Sequence, residues 1–125
     1  MTDSRYFIRE SEVAAYSPRN HSGTINRRLI GPETVGANQL EVVLGTIDPE
    51  HGALPHCHPG IEQVCYILEG HAVAEVDGWR AELGPGDCCF FPAGQLHTFN
   101  VTGDKAVRVL VIYSPPYMET PAIIV

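Results

Sequence analysis

Basic residues are scarce in this sequence: eight Lys and Arg stand against 15 Asp and Glu, a formal charge of -7 over 125 residues. Such a surface repels phosphate backbones and anionic bilayers, so neither nucleic acid nor membrane is an expected partner. Long hydrophobic runs are missing as well. No stretch approaches the roughly 20 apolar residues that span a bilayer. The opening MTDSRYFIRES lacks the basic start and apolar middle of a secretion signal, which leaves a cytoplasmic setting as the expectation. There is no low-complexity tract, and a chain with 44% hydrophobic residues carries too few charges for disorder. Its length suits one domain with one core, residues 1–125.

Cysteine is limited to Cys57, Cys65, Cys88 and Cys89, without the spacing of a zinc knuckle. Cys88 and Cys89 are adjacent, so on a strand they face opposite ways and cannot chelate one ion together. Reduced, structural thiols are expected. Cys65 stands apart because it shares strand phase with Gln63.

Helix signals are nearly absent. In SEVAAYSP, Ser11 is placed to cap one helical turn that Pro18 would end. YFI ahead of it reads as a short strand. From Thr24 onward come short β-rich runs broken by Gly, Pro, Asn and Asp: TINRRLI, LEVVLGTI, VCYIL, AVAEV, WRAEL, CCFFP, HTFNV and AVRVLVIYS. This pattern predicts an all-β sandwich or barrel with a core over about 24–114 and an arm at each end. Asp77-Gly78 is the signal for a two-residue hairpin, because a type I′ turn requires positive φ. Gly84-Pro85-Gly86-Asp87, Pro92-Ala93-Gly94 and Thr102-Gly103-Asp104 mark further turns.

VCYIL is apolar on both alternating faces, with Cys65 and Ile67 on one and Val64, Tyr66 and Leu68 on the other. A strand covered on both sides suggests that its outer face meets a second subunit, and a homodimer is expected. The tail METPAIIV either completes that coverage as an arm or folds onto its own barrel.

His56 and His58 lie at i and i+2 of an extended segment and so share a face, with Cα atoms roughly 6.5 Å apart. Two imidazoles there can converge on one ion while Cys57 points away. His97 follows a Pro-x-Gly turn at the head of a strand, and sheet closure would bring it to the other two. His21, His51 and His71 fall in loops or at a turn, where a solvated imidazole is the ordinary outcome.

With these positions the chain resembles the cupin superfamily in its small single-domain form. Its first motif is met by His56, Cys57, His58 and the distant Gly70; its second by Gly86, Pro92, Ala93, Gly94 and His97. The two motifs span Gly52 to about Thr102. Gly52 stands nearer the histidines than the pattern asks, and the late asparagine is at Asn100 rather than one place on, where Val101 stands. The resemblance implies an antiparallel jelly-roll barrel and a mononuclear metal site.

A glutamate normally completes the first motif. Counting back from Gly70 lands on Gln63, whereas counting forward from His58 allows Glu62 or Gln63. Gln63 is favoured because it runs in phase with Cys65 and Ile67, and only one of two neighbours on a strand looks inward. The implied ligands are His56, His58, His97 and Gln63, around one divalent ion such as Fe, Mn, Ni, Cu or Zn. Three imidazoles and a neutral amide would leave the ion's charge undiminished and favour an anionic ligand. Arg28 or Arg27 could anchor a substrate carboxylate, Arg28 sharing its face with Asn26. Phe99, with Phe90 or Phe91, Tyr113 and Trp79, would supply apolar walls. Glu62 or Tyr113 would act as general base if either reaches the pocket.

The resemblance implies an enzyme of dioxygenase, lyase or isomerase type acting on a small oxygenated organic acid. The alternative is a binding module that holds a small ligand or metal without turnover.

Overall fold

Each of the eight β-rich runs forms a strand, and three more strands join them. The computed structural model describes residues 6–19, 21–119 and 121–124. In chain order the strands are β1 (Ala15–Pro18), β2 (Thr24–Ile30), β3 (Glu41–Ile47), β4 (Gly52–His56), β5 (Glu62–Glu69), β6 (His71–Val76), β7 (Trp79–Leu83), β8 (Cys88–Phe91), β9 (His97–Thr102), β10 (Val107–Ser114) and β11 (Pro121–Ile124). They make two antiparallel sheets, ordered β11-β1-β2-β3-β10-β5-β8 and β4-β9-β6-β7. Strands β3-β10-β5-β8 of the first and β4-β9-β6-β7 of the second make a double Greek key, the jelly-roll arrangement.

The core lies between the sheets, where alternate residues of each strand face inward. On β5, Cys65 and Ile67 are buried while Tyr66 and Leu68 are exposed. Ile67, Phe91, Val107 and Val109 are almost wholly withdrawn from water, and each contributes about 1.5–3 kcal/mol by that burial. The Asp77-Gly78 turn has φ of 50° and 78°, and it opposes Val76 to Trp79 as a tight hairpin should. Gly52 serves close approach instead: a Cβ there would lie 2.3 Å from the Phe99 carbonyl oxygen, so β4 could not reach β9.

The chain ends differ from expectation. Tyr6–Ile8 lies outside any strand, and the helical turn is a 3-10 turn at Glu10–Glu12 with no side-chain cap. Ala15–Pro18 is a strand because both its edges find partners, β2 on one side and β11 on the other. Backbone pairing on two edges outweighs a lone capping signal. Of the two places open to the tail, Pro121–Ile124 takes the one on its own barrel, against β1. β4 was hidden by Gly52 and Pro55, which punctuate its sequence as a loop would be punctuated; its register with β9 shifts between Ala53 and His56.

Candidate metal centre

β4 ends at His56 and β9 begins at His97, and these two residues oppose each other directly in the ladder. His58 follows two residues after His56, and its carbonyl is fixed by the amides of Ile61 (3.2 Å) and Gly94 (3.0 Å). The turn after His58 is thereby tied to the Pro-x-Gly turn before His97. The result is a compact trio: potential ligand atoms of His56, His58 and His97 all lie within 4.8 Å of one another. Phe91 stacks on His97 at 4.0 Å between ring centroids, with the planes 6° apart, which limits rotation of that ring.

Hydrogen bonding orients the ligand nitrogens. His97 Nδ1 lies 3.1 Å from the Gln95 carbonyl, and only a protonated Nδ1 can donate to it. The Nε2 lone pair is left for another partner, the usual support of a metal-binding imidazole. Yet Nε2 of His97, Nε2 of His58 and Oε1 of Gln63 are all buried and meet no partner in good hydrogen-bond geometry among the described residues, although the His58 and Gln63 side chains lie close enough to interact. A buried polar atom left unsatisfied costs about 1–3 kcal/mol. Three such atoms at one site, two imidazole nitrogens and an amide oxygen, are donors suited to a divalent transition-metal ion. The residues present therefore fit the group that the sequence implies.

Burial also keeps the His58 and His97 imidazoles neutral. It pushes His58 down to about 4, with His56 and His97 adding to the effect. His97 is likewise lowered to about 4 by burial, against the raising influence of its Gln95 hydrogen bond. Neutral imidazole is the metal-binding form, so no proton need leave either ring at neutral pH.

An adjoining cavity of about 50 Å³ is lined by His56, His97, Gln63, Cys65, Phe99 and Tyr113, with Asn26, His21 and aliphatic side chains of β3 and β10. Gln63 lies mid-sheet, opposite Tyr113 on one side and Phe91 on the other, and donates from Nε2 to Cys65 Sγ at 3.4 Å. Its neighbour Glu62 is exposed and lines no part of the cavity, because adjacent strand residues face opposite ways. Glu62 is thus removed as inward ligand or base. Tyr113 does reach the cavity, but burial, then Glu119, push its phenol well above the ordinary value. It keeps its proton near neutrality and is suited to donate one rather than to act as base.

Arg28 requires a second correction. Its guanidinium is engaged by Glu41 (Nε to Oε2, 3.6 Å) and by the Glu119 carbonyl, and it lies over the Tyr16 ring at 4.6 Å. Held there, it does not line the cavity. Phe99 is in the cavity wall, whereas Phe90 and Trp79 are exposed.

Several residues in or around the site carried no sequence signal. His21, expected to be solvated, lines the cavity with its ring 5.8 Å from His56. Glu119 is buried in the segment after β10, accepting from Tyr16 Oη at 2.5 Å and from Asn26 Nδ2 at 2.7 Å. Tyr117, from the same segment, packs 4.3 Å from His58. Tyr16 and Glu119 are 103 residues apart in sequence, so no local spacing could have joined them.

Comparison with known proteins agrees with this architecture. A family model described as a cupin domain matches residues 43–113. The polyketide synthase CurC of Streptomyces cyaneus is 29% identical over 104 residues, which are 83% of this chain and 68% of that protein. An acireductone dioxygenase of Leishmania major is 34% identical over 89 residues, 67% of this chain but 24% of the dioxygenase. The polyketide cyclase RemF from Streptomyces resistomycificus superposes with a TM-score of 0.75 at 26% identity, covering 100% of this chain and 86% of that one. The family match extends over more than half the sequence and contains the histidine trio, and the chain belongs to the cupin family.

Proposed function

We propose that this chain is a mononuclear metal-dependent enzyme that acts on a small oxygenated organic acid through carbonyl-polarising chemistry of the lyase or isomerase kind. The observation that carries this reading is the set of three buried donor atoms without a hydrogen bond among the described residues, His58 Nε2, His97 Nε2 and Gln63 Oε1; His97 and Gln63 line the cavity with His56, and His58 belongs to the histidine trio beside it. His56, His58, His97 and Gln63 would hold one divalent ion. When bound, that ion supplies a Lewis acid for a substrate carbonyl or enol oxygen. Four neutral donors do nothing to offset its charge, which supports an anionic substrate.

The remaining residues bind and orient. Phe91, Phe99 and Val109 give the cavity apolar walls that exclude water, so polar contacts inside it are stronger than in solvent. The Tyr113 phenol holds a proton at Oη for a substrate oxygen on which charge develops. Similarity to CurC and RemF, both named for polyketides and matched over most of this chain, favours an enolisable carbonyl compound. Dioxygen chemistry is the second reading, favoured by the acireductone dioxygenase match, though that spans a quarter of the relative. Exposed Tyr66, Leu68 and Phe90 on the outer face of β5 and β8 support pairing with a second copy. The four free thiols accord with a cytoplasmic setting.

The test is turnover of 1,3-dicarbonyl acids by metal-loaded protein with and without oxygen, read by mass spectrometry beside His97→Ala. Product formed equally without oxygen is expected. Consumption only in its presence would transfer the assignment to dioxygen chemistry. Saturable binding without product would leave a ligand-binding module.

A further inference from the structure

Cys65 and Cys89 oppose each other directly in the antiparallel pairing of β5 and β8. Opposed residues of such a pair have Cα atoms about 4.5–5.5 Å apart, within the roughly 4.4–6.8 Å that a disulfide spans. Their side chains share the inner face: Cys65 belongs to the core and Cys89 packs against it. Cys65 Sγ also accepts from Gln63 Nε2 at 3.4 Å. One sulfur therefore joins a thiol pair to the side chain whose Oε1 faces the candidate metal centre.

We propose that Cys65 and Cys89 form a reversible cross-strand disulfide that releases Gln63 from its anchor. A small disulfide such as oxidised glutathione serves as oxidant. Cys89, the more accessible of the pair, loses its proton to solvent and its sulfur attacks one oxidant sulfur. One glutathione leaves as thiolate and takes up a proton. The Cys65 sulfur, losing its own proton, then displaces the second glutathione from the mixed disulfide at Cys89. Two protein thiols become one disulfide, and one glutathione disulfide becomes two thiols. Bond formation brings Cys65 Sγ to about 2.05 Å from Cys89 Sγ across the strand pair and so draws it from the Gln63 amide. The crosslink itself stands on strand register; its effect on metal binding rests on the metal-centre reading above.

The experiment uses the full chain carrying Cys57→Ser and Cys88→Ser, which removes the two exposed thiols. After treatment with oxidised glutathione, intact mass and peptide mapping report the crosslink, and titration with Zn²⁺ reports affinity. Expected are a mass lower by two hydrogen atoms, a Cys65–Cys89 linkage that dithiothreitol reverses, and Zn²⁺ binding weakened about tenfold or more. Adding Cys89→Ser should abolish all three changes. Retained free thiols, or a mixed disulfide at Cys89 that never closes, would overturn the crosslink. A closed crosslink with unchanged Zn²⁺ affinity would overturn the connection to Gln63. Reduced protein that binds no Zn²⁺ would overturn the metal-centre reading and the connection with it, while the mapping still decides the crosslink.

Discussion

The two sides of the cavity hold buried acceptor atoms under opposite conditions. On the side of β4 and β9, Nε2 of His58 and of His97 are left without partners, as is Gln63 Oε1 on neighbouring β5. On the side of β1, β2, the start of β3 and the segment after β10, the buried carboxylates are satisfied. Glu41 Oε1 accepts the amides of Tyr117 and Met118, both at 3.1 Å, and its Oε2 faces Arg28. Glu119 accepts from Tyr16 and Asn26. Partnered acceptors fix a structure, whereas several buried unpartnered acceptors gathered at one place suit the binding of something else; Arg28 Nε, a donor that also lacks a hydrogen bond, faces Glu41 and does not line the cavity. The first side reads as a binding site and the second as the frame that holds the C-terminal segment over it.

The contrast is broken most severely by His97→Ala. Loss of one of three convergent imidazoles should abolish metal retention through gel filtration while the thermal transition of the metal-free protein remains cooperative. Retention of bound metal would place the ion elsewhere.

Glu41→Ala should act on stability instead. It leaves Arg28 and two backbone amides without their acceptor, and removing one member of a buried ion pair costs about 3–5 kcal/mol. Urea unfolding should show that loss, and Zn²⁺ affinity in the surviving folded protein should change little. A variant of native stability would mean that the segment after β10 is held by its other contacts.

Gln63→Ala comes next. It removes one donor of four and should weaken Zn²⁺ binding by about tenfold or more; Glu62→Ala, on the exposed side of the same strand, should leave affinity unchanged. Equal effects from the two would undo the assignment of strand phase.

A further effect concerns pH. In metal-free protein His58 and His97 are lowered from the ordinary value of 6.5 to about 4. As pH falls below 6.5 the unfolded chain takes up these protons first, so their contribution to stability is full above 6.5 and is lost toward 4. Urea midpoints of the metal-free protein should decline between pH 6.5 and 5, and more shallowly in His58→Gln/His97→Gln. Identical slopes would show that the imidazoles are not the source.

What the sequence made legible follows the same division. The histidine trio could be read because its members lie near turns with strong local chemistry: alternation set the faces of His56 and His58, and Pro-x-Gly set the start of β9. Strand phase likewise separated Gln63 from Glu62. Arg28 was misread because alternation gives the face of a side chain and not its partner; the competing acceptors, Glu41 and Glu119, lie on other elements. Glu119 and Tyr117 were invisible because they are held by Tyr16, Asn26, Arg28 and Glu41, far away in sequence, and His21 because the loop between β1 and β2 carries no periodic signal. Long-range closure of the first sheet, unlike the turns, leaves no periodic trace.

The most direct measurement is metal content by plasma mass spectrometry on untagged protein purified without added metal, beside His97→Ala. The account predicts close to one equivalent of a divalent transition metal in the native chain and none in the variant. Native protein that carries no metal and takes up none of Fe, Mn, Ni, Cu or Zn on reconstitution would contradict it.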